Sequence, residues 1–167
     1  MTRTGSGFVV GSTLLTNRHL VVGAFEAKVD QPLAPVLVGV RRTADRLDLA
    51  SLDPVPSMPL ELAKADASVG DPVVFAGHAS GGRSVVRDGT VHLFADGTIY
   101  GVGGPGMLVD GVSSVGFSGG PVLDRNGDVV GILQGCEPNL RLTVAIPVSA
   151  VEAWLQDGAA SLQRETT

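Results

Sequence analysis

Gly116-Phe117-Ser118-Gly119-Gly120-Pro121-Val122-Leu123-Asp124-Arg125-Asn126-Gly127-Asp128-Val129-Val130-Gly131-Ile132-Leu133 passes from a glycine-rich turn into two short apolar runs. Those runs, 121–123 and 129–133, flank an Asn-Gly pair. Both residues accept the positive φ of a tight hairpin turn, so the stretch predicts two antiparallel strands. The same pattern recurs outward. Apolar or β-branched runs occupy 8–10, 13–16, 36–40, 72–76, 84–86, 89–94 and 142–146. Between them lie turn signals at Asp88-Gly89, Asp96-Gly97 and the glycines 101, 103, 104 and 106. Evenly spaced short strands predict an all-β barrel or sandwich. Only the end of the chain differs. Val148, Val151 and Leu155 have helical spacing and Ser149 suits a cap, so a C-terminal α-helix is expected over about 148–163, packing Trp154 or Leu155 on the β-rich body.

Segment 53–62 contains three prolines and reads as the connection between two halves. The expected organisation is one domain over 1–167, with an N-terminal lobe of about 1–60 and a C-terminal lobe of about 61–147. A chain of 167 residues with 17% charged residues and mean hydropathy +0.28 suits a globular core rather than disorder. Its net charge of −5 supplies no basic footprint for nucleic acid. Its 23 glycines follow no three-residue period, which excludes collagen. The single cysteine, Cys136, forms no intramolecular disulfide. No apolar run approaches the ~20 residues of a membrane span. No signal peptide is legible, so the expectation is a soluble, cytoplasmic protein if Met1 is the native start. One Cys and three scattered His lack ligand spacing, so neither a metal nor another cofactor is expected. The glycines of 101–106 lack a following Lys-Ser/Thr and read as a loop, not a phosphate cradle.

Three motifs carry chemistry: Thr16-Asn17-Arg18-His19 with Gly23-Ala24, Asp48-Leu49-Ala50, and Gly116-Phe117-Ser118-Gly119-Gly120-Pro121. A serine hydroxyl needs an adjacent base to become nucleophilic. Histidine titrates near neutrality and can take that proton and return it. A buried aspartate fixes the histidine tautomer. Asp45 and Asp53 lie near Asp48, but Leu-Ala directly follows only Asp48. His78 and His92 lack the flanking motif and read as surface or strand residues.

In this order the motifs resemble the chymotrypsin-type (trypsin-like) serine peptidases. Gly5-Ser6-Gly7-Phe8 and Val130-Gly131-Ile132 extend the similarity, and Ala145-Ile146-Pro147 looks like the bacterial HtrA branch. The resemblance implies two antiparallel β-barrels with a C-terminal helix and the site between them. It implies a catalytic triad of His19, Asp48 and Ser118, and an oxyanion hole from the N–H groups of Gly116 and Ser118. Val112, Leu133, Gln134, Gly135 and Cys136 are implied substrate-binding positions, and the partner is a polypeptide substrate. The expected activity is that of a serine endopeptidase. The alternatives are a catalytically silent peptide-binding module, or esterase and other acyl transfer at the same site.

The chain departs from the family at three points. Only residues 1–4 precede Gly5-Ser6-Gly7, so the first barrel is expected to be one strand short, with an edge open to a partner or tail. Phe117 replaces the polar residue that usually precedes the nucleophile, so its packing against a neighbouring lobe or partner is expected to set activity, not trimming of the N-terminus. Val112 puts no carboxylate at the pocket base, which implies cleavage after uncharged residues. A regulatory partner or additional domain is expected to restrain a peptidase lacking a zymogen segment.

Overall fold

The structure is a computed structural model that describes residues 2–31, 34–79, 83–96, 104–111, 113–137, 139 and 141–165. Its elements run β1 (Phe8–Val10), β2 (Thr13–Thr16), α1 (Arg18–Val21), β3 (Glu26–Val29), β4 (Val36–Thr43), β5 (Ala50–Leu52), β6 (Pro72–His78), β7 (Ser84–Asp96), β8 (Pro105–Asp110), β9 (Pro121–Leu123), β10 (Val129–Glu137), β11 (Leu142–Pro147) and α2 (Val148–Glu165). The named strands pair antiparallel throughout. The first five form a curled sheet in the order β1-β2-β5-β4-β3. The other six close into a barrel, β10-β11-β8-β7-β6-β9. This is the expected all-β architecture, with the first sheet one strand shorter than the second.

The inward faces of the strands supply the core of each sheet, and β5 and β11 are buried along their whole length. Phe75, Val91, Met107, Val109, Val122 and Ala145 fill the second barrel. Val9, Leu14, Val38, Ala50 and Leu52 fill the first. A third cluster, including Phe8, Leu49, Ile132, Val151 and Trp154, spans the two sheets and α2. The proline-rich connection ends as a bridge between the sheets. Leu60 N–H donates to the Val9 carbonyl, and Val129 bonds Glu61 and Ala63 with its N–H and C=O.

Three local expectations are corrected. Asp88-Gly89 is not a turn but lies inside the 13-residue strand β7. A Cβ on Gly89 would stand 2.6 Å from Val109 Cγ1 and 2.8 Å from the Asp110 carbonyl, so the glycine serves close strand packing. Pro105 and Gly106, read as loop, open β8; residues 101–103 lie outside the described residues. Ser149 does not cap α2 from outside. It is the second helical residue, and its N–H and hydroxyl both donate to the Asp66 carboxylate, at 2.9 and 2.7 Å. The expected helix itself is present, with Val148, Val151 and Trp154 buried and Leu155 half-buried. Arg42 fixes it further, lying 4.3 Å over the Trp154 ring and donating to the Trp154 carbonyl.

Candidate active site

His19 sits on the single turn α1 directly after β2. Asp48 sits just before β5, anchored by Leu49 and Ala50, both fully buried. The carboxylate of Asp48 accepts the His19 backbone N–H at 2.8 Å and lies 2.6 Å from His19 Nδ1. Asn17 Nδ2 donates to the Asp48 carbonyl at 3.0 Å, which ties the two segments a third time. Asp48 is 16% exposed and His19 49%, so the carboxylate is sheltered while the ring is half open to solvent. Of the other two aspartates, Asp53 bonds Arg41 and the Gly39 amide. Asp45 is exposed, in a groove beside Trp154.

Ser118 lies in the turn joining β8 to β9. Gly116 has φ 100° and the Phe117 N–H donates to the Ser114 carbonyl, as in a turn with a left-handed third residue. Gly119 has φ 91°, and a Cβ there would collide with the Ser6 carbonyl. A Cβ on Gly120 would collide with the Ala76 carbonyl. The turn is thus pressed onto both sheets by residues that only glycine can supply. Among the described residues, the N–H groups of Gly116 and Ser118 donate to no acceptor in the chain.

The Ser118 hydroxyl donates to the Gln134 carbonyl at 3.1 Å. That carbonyl is available because β10 bulges: Leu133 pairs with Ala145 and Gly135 with Val144, leaving Gln134 as the extra residue. Leu133 points its side chain into the barrel core and presents only backbone. The Gln134 side chain is buried, with Oε1 unpartnered. Gly135 and Cys136 are half-buried, and a Cβ on Gly135 would meet open space. Val112 lies outside the described residues. Both its neighbours bond the buried Thr143: the hydroxyl donates to the Gly111 carbonyl at 2.7 Å and accepts the Ser113 N–H at 3.0 Å.

Phe117 corrects one expectation. It packs within the second barrel, not against a neighbouring lobe or partner. Its ring is 1% exposed, meets Phe75 edge-on at 6.4 Å, and lies 5.9 Å below the Arg87 guanidinium. Ser6, Thr16 and Thr143 are site residues that the sequence reading missed. Ser6 stood in a quoted motif, but nothing in its one-dimensional context indicates what its hydroxyl reaches. No metal-ligating cluster occurs among the described residues.

This fold, a curled β-sheet and a closed antiparallel β-barrel followed by a C-terminal helix, is the architecture of chymotrypsin-like proteins. The chain belongs to the trypsin-like peptidase domain family, whose model matches residues 5–132. It is 30% identical over 144 residues to the serine protease Rv3671c of Mycobacterium tuberculosis, spanning 78% of this chain and 36% of that protein. It is also 30% identical over 161 residues to the anti-sigma-I factor RsgI9 of Acetivibrio thermocellus, spanning 92% of this chain and 22% of that protein. The chain thus spans about a third or less of these relatives' lengths. The crystal structure of the Rv3671c protease in its active form superposes with a TM-score of 0.80 and 27% identity, covering 91% of this chain and 72% of that one. The HtrA-type protease AlgW with a decapeptide superposes at 0.80 with 22% identity, covering 91% and 50%.

Proposed function

We propose that the chain is a serine endopeptidase acting through an acyl-enzyme on Ser118. The observation that carries this reading is the double contact of Asp48 with His19. With Nδ1 facing the carboxylate, the proton of the neutral imidazole stays on that side, and Nε2 is free to act as base. The Ser118 hydroxyl turns from the Gln134 carbonyl to Nε2 and attacks the scissile carbonyl. Its proton passes to Nε2, and the new oxyanion is received by the Gly116 and Ser118 N–H groups. Collapse of this intermediate breaks the C–N bond, and the departing amine takes the proton from His19. Water then repeats the sequence on the ester and frees the acid. The Gln134–Cys136 edge lies alongside the substrate backbone, and a regulatory partner or further domain restrains the site.

One observation favours a second reading, a silent peptide-binding module: the Ser118 hydroxyl bonds Gln134 and not His19. A fluorophosphonate probe decides between them. Labelling of the protein but not of Ser118→Ala supports a hydrolase, and no labelling of either refutes it. Parallel peptide and ester libraries then separate peptidase from esterase, since preferential turnover of esters would sink the peptidase reading.

A further inference from the structure

Ser6 lies before β1, far in sequence from the nucleophile, yet it is buried against the turn that carries it. Its hydroxyl donates to the Gly116 carbonyl at 2.6 Å and accepts the His78 backbone N–H at 2.8 Å. Its own N–H donates to the Ser118 carbonyl at 2.7 Å. Its carbonyl in turn accepts the Thr16 hydroxyl at 2.7 Å. One residue of the first sheet's leading edge therefore holds both carbonyls that bracket Phe117 and the nucleophile. It is itself held by β2 and by the end of β6.

These contacts matter because of what Gly116 is. A glycine at φ 100° has little intrinsic reason to stay there, since it populates both signs of φ. The residues before it, Ser113, Ser114 and Val115, contribute no proline that would stiffen the turn. Fixing the Gly116 carbonyl fixes the peptide plane that follows it. The Phe117 N–H in that plane is also fixed, on the Ser114 carbonyl. The direction of the Gly116 N–H is then set by the two anchored planes around it. Both hydroxyl roles are needed, because the same oxygen donates to Gly116 and accepts from His78. Alanine and glycine offer neither role; serine and threonine offer both.

We infer that Ser6 is a positioning residue that aims the Gly116 N–H at the developing oxyanion. The inference rests on the peptidase reading above. It does not touch substrate; it acts through the turn.

The test uses a fluorophosphonate with a fluorescent reporter. In that reaction the Ser118 Oγ–P bond forms, the P–F bond breaks, fluoride leaves and the hydroxyl proton passes to His19. The phosphoryl oxygen occupies the place of the oxyanion. The unaltered chain, Ser6→Ala and Ser6→Thr are compared by the maximal labelling rate, the half-saturating probe concentration and the final labelled fraction. Ser6→Ala is expected to lower the maximal rate by ~10–100-fold, the scale of a displaced donor, with half-saturation within about twofold and complete final labelling. Ser6→Thr, which keeps the hydroxyl, is expected to stay within about threefold of the parent rate. Thr16→Val loosens Ser6 from behind and is expected to slow labelling by about three- to tenfold, which serves as the measurement if Ser6→Ala does not fold. A parent chain that does not label overturns the peptidase reading and this inference with it. A labelling parent with an equally fast Ser6→Ala overturns the inference alone. So does a loss confined to the final labelled fraction, which would mean fewer folded molecules and not a slower site. Equal loss in Ser6→Ala and Ser6→Thr, or a parent-like Thr16→Val beside an unfolded Ser6→Ala, also overturns it.

Discussion

Asp48 grips His19 at two points, taking the backbone N–H on one carboxylate oxygen and facing ring Nδ1 with the other. The first contact fixes the place of α1 and the second fixes the ring. Because Leu49 and Ala50 are buried in two different clusters, the carboxylate cannot drift without disturbing the core. An imidazole held this way has little reorganisation left to do if it accepts a proton, which is how fixed dipoles lower a barrier.

Asp48→Asn should therefore lower turnover by up to ~10⁴, by placing an amide N–H against Nδ1 and forcing the wrong tautomer. Asp45→Asn should change turnover by no more than about twofold, since an exposed carboxylate beside Trp154 reaches no part of the site. Rates of probe labelling and of peptide hydrolysis check both variants. A silent Asp48→Asn beside a crippled Asp45→Asn would reverse the assignment.

The glycines after Ser118 should separate sharply from one in a hairpin. Gly119→Ala and Gly120→Ala would drive a methyl into backbone carbonyls of Ser6 and Ala76, which have no room to retreat. Both should fail to give a folded, labelling-competent protein. Gly127→Ala, at φ 80° with nothing within 4 Å of the added carbon, should cost only ~1–2 kcal/mol of stability through added left-handed strain and keep its labelling rate. Denaturant midpoints and probe labelling report the contrast. A stable, active Gly119→Ala would show that the turn is looser than the close approach to Ser6 implies.

Much of this was legible in sequence, for identifiable reasons. Asn126-Gly127 marks its hairpin because its chemistry is local: Gly127 takes φ 80° and its N–H donates to Asp124 three residues back. Val148, Val151 and Leu155 likewise announce a helix face through spacing alone, and the first two are fully buried while Leu155 is half-buried. What failed was non-local. Gly89 looks like a turn residue because the missing side chain is the same, whether it frees φ or admits Val109. Strands β3 and β5 are short, and one carries Glu26 and Lys28, so neither gave an apolar run. Ser6 and Thr143 act across 110 and 32 residues, distances at which no pattern in the chain pairs a hydroxyl with its carbonyl.

Phe117 directly precedes Ser118 and fills the barrel core against Phe75, so stability and probe labelling should fall together when it is cut. Phe117→Ala should cost ~3–5 kcal/mol of unfolding free energy, the usual range for emptying a buried phenylalanine site. Phe117→Asn should cost at least as much, since the cavity would hold an amide with its partners unmet. Labelling of the surviving folded fraction should also slow, because the ring closes on Gly77 and so helps seat the turn. Urea titration with parallel labelling checks both effects. A variant with parent stability and parent labelling would make Phe117 an incidental substitution.

Cleavage should favour uncharged, apolar residues on the acyl side of the scissile bond. The side chain expected at the pocket base, Val112, offers no carboxylate, and burying Lys or Arg without one is costly. Asp110, two residues earlier, is the nearest acid in sequence. It stands about half exposed, with its carboxylate 3.4 Å from His92 Nδ1 on β7. Its neighbour Val109 fills the barrel, so strand alternation turns Asp110 to the outer surface. The cavity beside Gly111 adds two guanidinium groups, Arg87 and Arg141, against one carboxylate, Asp88, a balance that repels a cationic side chain. A library of peptides varied at the acyl-side residue should give products ending in Leu, Val or Ala, with Lys and Arg at least about tenfold poorer. Val112→Asp should narrow or invert that ratio by supplying the missing counter-charge. Efficient cleavage after Arg by the unaltered chain, with little after Leu, would mean that Asp110 or another acid reaches the pocket.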